Sequence, residues 1–195
     1  KLNLLLPKVK NNLTKELQKR KKIGIVIKQD TLEKQAKIIY LGIGSNLGNR
    51  KNNINKACYL LHTFCLIDKV SNFYETYSWP NVKYPKYLNI ILRCYTKLNV
   101  ISLLKIIKVI EKKLGRKKTL KNFPRSCDID IIDFKGIKLD KNYIKIPHPS
   151  LSKRNFVLVP LYEIEKTWKH PKNNISIDNL LKNLNFKSLR GIKIY

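Results

Sequence analysis

Residues 124–132 read Pro124-Arg125-Ser126-Cys127-Asp128-Ile129-Asp130-Ile131-Ile132, an apolar strand pattern that contains two carboxylates. Side chains alternate between the faces of a strand, so Asp128 and Asp130 share one face. Neighbouring carboxylates in an apolar strand repel each other and resist burial. A Mg²⁺ ion would remove that conflict, because it takes oxygen ligands from carboxylates and substrate phosphates. The run therefore predicts a Mg²⁺–nucleotide site with Arg125 at the phosphates; the alternative is a strand with a solvated edge.

Short apolar strands and amphipathic helices alternate around this run. The predicted strands are 38–43, 66–76, 87–98 and 127–134, and the predicted helices are 53–64, 101–114 and 156–165. This order is that of the split βαβ, ferredoxin-like arrangement. We therefore predict an α+β fold: a ferredoxin-like sandwich whose antiparallel sheet carries both helices on one face, with C-terminal additions. The other face of the sheet would stay free for a ligand.

The 195 residues carry a formal net charge of +28, and 43% of them are hydrophobic. The positive charge is mostly lysine and is spread along the whole chain, which favours a solvated surface over a designed patch for an acidic partner. Residues 1–36 are more polar and basic than the rest. We predict two parts, a basic N-terminal extension at 1–36, interpreted as the tail of an upstream fused domain, and a catalytic domain at 37–195.

The chain shows no signal-peptide pattern and no apolar run of the roughly 18 residues that a membrane span needs. Its four cysteines have no metal-ligand spacing. We therefore expect a cytoplasmic protein with reduced thiols and no membrane partner.

Two further segments indicate phosphate binding. Arg116 and Arg125 bracket a basic loop, and the planar fork of arginine grips phosphate in a way that lysine does not replace. His148 stands between two prolines that hold it in a fixed turn, where its ring can donate a hydrogen bond to a phosphate oxygen. The alternatives are an ordinary solvated loop and a structural turn histidine.

Seven motifs stand in one order along the chain. They are Gly44-Ser45-Asn46-Leu47-Gly48, Phe73-Tyr74-Glu75-Thr76, Tyr87-Leu88-Asn89, Leu114-Gly115-Arg116, the run 124–130, Ile146-Pro147-His148-Pro149 and, at 154–164, Arg-Asn-Phe-Val-Leu-Val-Pro-Leu-Tyr-Glu-Ile. In this combination, residues 37–168 resemble the 6-hydroxymethyl-7,8-dihydropterin pyrophosphokinase family of the folate pathway.

The resemblance implies transfer of the terminal diphosphate of ATP to the hydroxymethyl group of the pterin, which leaves AMP. It implies two Mg²⁺ ions bound by Asp128 and Asp130, and catalytic roles for these two residues with Arg116 and Arg125. The implied ATP-binding residues are Glu111, Arg116, Arg125, His148 and Arg154. The implied pterin-binding residues are Thr76, Tyr87, Asn89 and Phe156.

Residues 14–28 resemble the C-terminal strand of dihydroneopterin aldolase. Fusion to that enzyme, or association with it, is therefore a further expectation, and it would account for the extension at 1–36.

Two other function classes stay open. The charge invites a basic ferredoxin-like RNA-binding module without catalysis, but such a module needs aromatic side chains at alternate positions of its central strands. A nicotinamide-dependent oxidoreductase would need the GxGxxG fingerprint, and in residues 42–48 the third glycine comes one residue late. We expect no specific nucleic-acid partner.

Overall fold

The structure is a computed structural model that describes residues 36–78, 81–117 and 122–195. Its strands are β1 (Lys37–Ser45), β2 (Leu66–Val70), β3 (Tyr74–Thr76), β4 (Tyr87–Thr96), β5 (Asp128–Phe134), β6 (Leu139–Lys141), β7 (Ile144–Ile146) and β8 (Ile192–Ile194). Its helices are α1 (Arg50–Leu61), α2 (Val100–Lys113), α3 (Asn155–Ile164), α4 (Ile177–Lys182) and α5 (Phe186–Arg190). The predicted extension at 1–36, including residues 14–28, lies outside the described residues apart from Ala36, so the boundary stays a prediction.

Six of the strands form one antiparallel sheet with the order β5-β1-β4-β3-β8, and β2 pairs with β4 beside it. The predicted α+β fold with an antiparallel sheet is confirmed. The central strand β1 fixes the register of the functional residues, because Gly44 lies opposite Asn89 of β4 on one side and opposite Asp128 of β5 on the other. Residues that are far apart in sequence therefore stand in one row across the sheet.

Helix α2 shows why one face of the sheet is covered by helices. Asn99 caps its N-terminus, since the side chain accepts a hydrogen bond from the main-chain N–H of Ser102. Leu103, Ile107 and Ile110 follow at helical spacing and are buried against the sheet. Helix α1 buries its own apolar stripe in the same core, so α1 and α2 share one face.

We predicted that the opposite face of the sheet stays free. In the structure, that face is partly covered. Helix α3 is apolar on most of its surface and has to bury more than one stripe. It packs with Trp168 and α4 over Tyr40, Ile91 and Ile132 of the sheet, which makes a second core. The uncovered remainder of this face is the floor of the pocket described below.

One local prediction was wrong. The single strand predicted at 66–76 is broken into β2 and β3 at Ser71. The N–H of Ser71 still donates to the Ile91 carbonyl, but the N–H of Ile91 donates to the hydroxyl of Ser71. The carboxylate of Glu163 on α3 accepts the N–H of Asn72 and so satisfies the break. After α3 the chain adds two short helices, α4 and α5, and strand β8, which pairs with β3.

No helix within the described ranges is both long and apolar enough to cross a bilayer.

A buried carboxylate joins the second core to the sheet. Asp133 is 4% exposed, and its Oδ2 accepts a hydrogen bond from Trp168 Nε1 at 3.0 Å. Its Oδ1 has no partner among the described residues. Burial raises the pKa of Asp133, and the hydrogen bond from Trp168 opposes that rise.

Replacing Trp168 by Phe should lower the free energy of unfolding by about 1–3 kcal/mol, because it removes the N–H donor to Asp133 Oδ2. Both oxygens of the buried carboxyl would then lack a partner among the described residues. Urea unfolding measures the change. Tyr59→Phe, at a side chain that is 78% exposed, is the control and should have no effect. Equal stability of Trp168→Phe and the wild type would contradict this account of Asp133.

Candidate active site

A concave pocket of about 260 Å³ lies on the part of the sheet that α3 leaves uncovered. Its floor is formed by β1, β4 and β5, and its rim by the end of α2, the loop before β5 and the start of α3. Ten of the eleven predicted site residues line it: Thr76, Tyr87, Asn89, Arg116, Arg125, Asp128, Asp130, His148, Arg154 and Phe156. The exception is Glu111.

Asp128 is neutralised by two arginines. Its Oδ1 accepts hydrogen bonds from Arg116 Nη1 at 2.6 Å and from Arg125 Nη1 at 3.2 Å. Charge-assisted bonds of this kind are stronger than bonds between neutral groups. Arg125 also donates from Nε to the carbonyl of Phe123, which fixes the plane of its guanidinium.

Asp130 lies beside Asp128 but has no such partner. Its Oδ2 is 3.5 Å from Arg154 Nη1 and 4.0 Å from His148 Nε2, longer than good hydrogen bonds. Burial on the pocket floor, and then the negative charge of Asp128, raise the pKa of Asp130 to about 6. Its side chain is still 38% exposed, so an arriving cation can reach it from the pocket.

Glu111 lies behind the arginines. It is 1% exposed on α2, where its carboxylate accepts the N–H of Ile129 at 2.9 Å and pairs with Arg116 and Lys108. Arg116 is therefore held between Glu111 and Asp128. We predicted that Glu111 binds ATP; its position off the pocket lining instead favours support of the site through Arg116.

His148 is held as a neutral donor. Its Nδ1 accepts the N–H of Ser150 at 3.2 Å, which leaves Nε2 to carry the ring proton and to face Arg154. Burial, and then the positive charge of Arg154, lower the pKa of His148 to about 4. Arg154 in turn lies over the ring of Phe156, 5.4 Å from its centroid.

The other end of the pocket is lined by uncharged side chains among the described residues, and it is shaped by a glycine. Asn89 Nδ2 donates to Thr76 Oγ1 at 3.0 Å, so its Oδ1 is turned toward Gly44. A Cβ at Gly44 would stand 2.8 Å from that oxygen and 3.3 Å from the ring of Tyr87. Gly44 therefore keeps open a slot between an amide oxygen and an aromatic ring.

A family model described as 7,8-dihydro-6-hydroxymethylpterin-pyrophosphokinase (HPPK) matches residues 40–166. The chain belongs to the HPPK family. This confirms the resemblance that the seven sequence motifs carry.

Three similar proteins show how the HPPK match is distributed. The 2-amino-4-hydroxy-6-hydroxymethyldihydropteridine pyrophosphokinase of Aquifex aeolicus (strain VF5) is 42% identical over 133 residues, which cover 68% of this chain and 83% of that protein. The folic acid synthesis protein FOL1 of Dictyostelium discoideum is 37% identical over 147 residues, which cover 75% of this chain but 22% of that protein. A crystal structure of Plasmodium falciparum HPPK-DHPS has a TM-score of 0.61 at 17% identity, and the match covers 82% of this chain and 48% of that one.

The likeness to the Plasmodium structure shows the fold. This chain spans about a fifth of the Dictyostelium protein and about half of the Plasmodium chain. HPPK domains therefore occur as parts of longer chains.

The HPPK pocket fits Mg²⁺ through its two carboxylates. Among the described residues, no three His, Cys, Asp or Glu side chains are grouped to hold a metal. Mg²⁺ does not need such a cage, because it usually takes one or two carboxylates together with substrate phosphates and waters. Asp130 also lacks a close cationic partner, since Arg154 Nη1 and His148 Nε2 stand 3.5 and 4.0 Å from its Oδ2, so its oxygens are open to a cation.

Several residues that line the pocket were not predicted from the sequence. Tyr77, Lys108 and Asn122 also line the pocket. Lys108 could have been found, because it precedes Glu111 by one helical turn. Asn46 was counted only as part of a turn, and its contacts are described below.

Asp130→Asn should stabilise the metal-free protein at pH 7.5, because the fold disfavours the ionised carboxyl. An acid whose pKa rises from 3.8 in the unfolded chain to about 6 in the fold costs stability above pH 6. This cost in stability shrinks as the pH falls from about 6, and it is gone below pH 3.8. Thermal unfolding in EDTA at pH 7.5 and at pH 4.5 should therefore show a larger gain at pH 7.5.

Asp128→Asn is the matched control. It should destabilise the protein at pH 7.5, since Arg116 and Arg125 lose their shared carboxylate. Shifts of the same sign for Asp128→Asn and Asp130→Asn would contradict the asymmetry of the pair.

Proposed function

We propose that this chain transfers diphosphate from ATP to 6-hydroxymethyl-7,8-dihydropterin in folate biosynthesis. The hydroxymethyl oxygen attacks the β-phosphorus, the bond between that phosphorus and the oxygen bridging it to the α-phosphorus breaks, and AMP leaves with the bridging oxygen. The hydroxyl proton is released. The observation that carries the proposal is one pocket in which a cationic end with two carboxylates faces an uncharged slot.

The cationic end suits a triphosphate. Arg116, Arg125 and Arg154 present guanidinium groups to one space, and each can hold phosphate oxygens bidentately. His148 adds an uncharged Nε2–H donor beside Arg154. These fixed donors would stabilise the negative charge that moves to the leaving AMP, and they need little reorganisation during the reaction.

Asp128 and Asp130 would hold Mg²⁺ at this end, two ions by the family's pattern. When bound, the metal neutralises phosphate charge and favours ionisation of the attacking hydroxyl. The protein's own contribution is the spacing of the two carboxylates on β5 and the pairing of Asp128 with arginines.

The uncharged slot suits a flat heterocycle with an amide edge. Asn89 offers its oxygen as an acceptor, and its orientation is fixed by the bond to Thr76. Tyr87 and Phe156, which both line the pocket, would supply the aromatic surfaces on either side of the pterin.

Three further assignments, of fold type, location and association, belong to the proposal. The strand order and the two helices on one face agree with a ferredoxin-like arrangement extended at its C-terminus. A cytoplasmic location and an association with dihydroneopterin aldolase remain predictions. The RNA-binding alternative is disfavoured, because β5 carries Asp128 and Asp130 on the open sheet face, where such a module needs aromatic side chains.

The test is AMP release from ATP and Mg²⁺ with and without the hydroxymethyldihydropterin. We expect pterin-dependent AMP from the wild type and none above background from Asp130→Ala. Unfolding curves establish that the variant is folded. AMP release that does not depend on pterin, or full activity of the variant, would contradict the proposal.

Gly44→Ala should raise the KM for the pterin by at least about tenfold, because a misplacement of Asn89 by one ångström is enough to cost that much. The KM for ATP should change little, since the added methyl group faces Asn89 and Tyr87 rather than the arginines.

Gly42→Ala, on the same strand, is the control. Its methyl group would meet the ends of Ile132 and Ile91, which can move aside. An equal effect of both substitutions on the KM for pterin would contradict the role given to Gly44.

A further inference from the structure

Asn46 is a buried polar residue in the turn between β1 and α1. It is 2% exposed, and every one of its hydrogen bonds leaves its own turn. Its Nδ2 donates to the carbonyl of Pro85 at 3.1 Å and to Ser78 Oγ at 3.2 Å. Its Oδ1 accepts the main-chain N–H of Arg125 at 2.7 Å, and its own N–H donates to the carbonyl of Arg125 at 3.1 Å.

These partners belong to two separate segments that border the pocket, which we call its two walls. Ser78 and Pro85 both belong to the segment between β3 and β4. They are joined by a hydrogen bond, since Ser78 Oγ also donates to the Pro85 carbonyl at 2.7 Å. That segment begins directly after Thr76 and ends next to Tyr87, at the uncharged slot. Arg125 belongs to the cationic end and pairs with Asp128.

We propose that Asn46 is a positioning residue that fixes the phosphate-binding end of the pocket relative to the pterin-binding slot. The side chain contacts no pocket space itself and acts through the main chain of Arg125 on one side and through Ser78 and Pro85 on the other. The assignment of the two ends to phosphates and pterin rests on the proposed function.

Asn46 can fix this geometry because breaking its buried hydrogen bonds costs free energy. Buried amide hydrogen bonds in a low dielectric hold their partners in one geometry. Their loss leaves the Arg125 N–H without the side-chain acceptor that it has in Asn46, and leaves the Pro85 carbonyl with the bond from Ser78 alone. The transfer needs the pterin hydroxyl and the β-phosphorus in line at contact distance, and an ångström of misplacement can cost roughly a hundredfold in rate. A residue that joins both walls therefore affects the meeting of the two substrates.

The kinetic test compares three variants. Asn46→Ala should raise the KM for the pterin and lower kcat, each by about tenfold or more. Ser78→Ala removes a partner on the pterin side alone, so the KM for the pterin should rise while kcat stays close to that of the wild type. Asn53→Ala is the matched control: its Nδ2 bonds Ser45 Oγ and the Leu47 carbonyl in the same turn and reaches neither wall. It should change neither constant.

Amide hydrogen exchange on the ligand-free protein supplies a measurement that does not depend on the reaction. Asn46→Ala should speed exchange at Arg125, whereas Asn53→Ala should not. Asn46→Asp keeps an oxygen for the Arg125 N–H and should preserve its protection. If Asn46→Ala does not fold, Asn46→Asp and Ser78→Ala still decide the question.

Unchanged exchange at Arg125 in Asn46→Ala, or the same kinetic change in Asn46→Ala and Asn53→Ala, would overturn the inference. A wild-type protein without pterin-dependent AMP would instead refute the proposed function. In that case, faster exchange at Arg125 in Asn46→Ala would still support the geometric link.

Discussion

The structure of the pocket depends on one electrostatic constraint, the closeness of Asp128 and Asp130 on a single strand face. The protein balances one of the two charges and leaves the other. Arg116 and Arg125 converge on Asp128, and Glu111 holds Arg116 from behind. Asp130 keeps only distant positive neighbours. A site with one compensated and one uncompensated carboxylate fits the Mg²⁺ that we propose it binds.

Three of the six arginines of the described residues, Arg116, Arg125 and Arg154, stand around this carboxylate pair. The chain is dominated by lysine, yet each arginine of the described residues either pairs with a carboxylate or lies over an aromatic ring. These arginines are Arg50, Arg93, Arg116, Arg125, Arg154 and Arg190. Lysine can supply positive charge to a solvated surface, but it does not supply a planar, bidentate donor. The large net charge therefore says little about function, and the positions of the arginines say much more.

The sequence was most informative where a local pattern determines the structure. The alternation of acidic and apolar residues around Asp128 and Asp130 predicted that both carboxylates share one strand face. The helical spacing of apolar residues predicted helix α2. Strand β8 escaped prediction, because its three residues hold no pattern and pair only with β3. The role of Asn46 also escaped, since its partners are distant in sequence. The resemblance implied that Glu111 binds ATP, and the sequence alone does not show that its carboxylate faces Arg116 and the N–H of Ile129.

The most direct measurement is a carbon-13 NMR titration of the aspartate carboxyl groups in the metal-free protein, with Asp130→Asn to assign the signal. The account predicts that Asp130 titrates near pH 6 and that Mg²⁺ with a non-hydrolysable ATP analogue lowers this value, because the added cation favours the ionised carboxylate. Titration of Asp130 at the ordinary value of 3.8, unchanged by Mg²⁺ and the nucleotide, would contradict it.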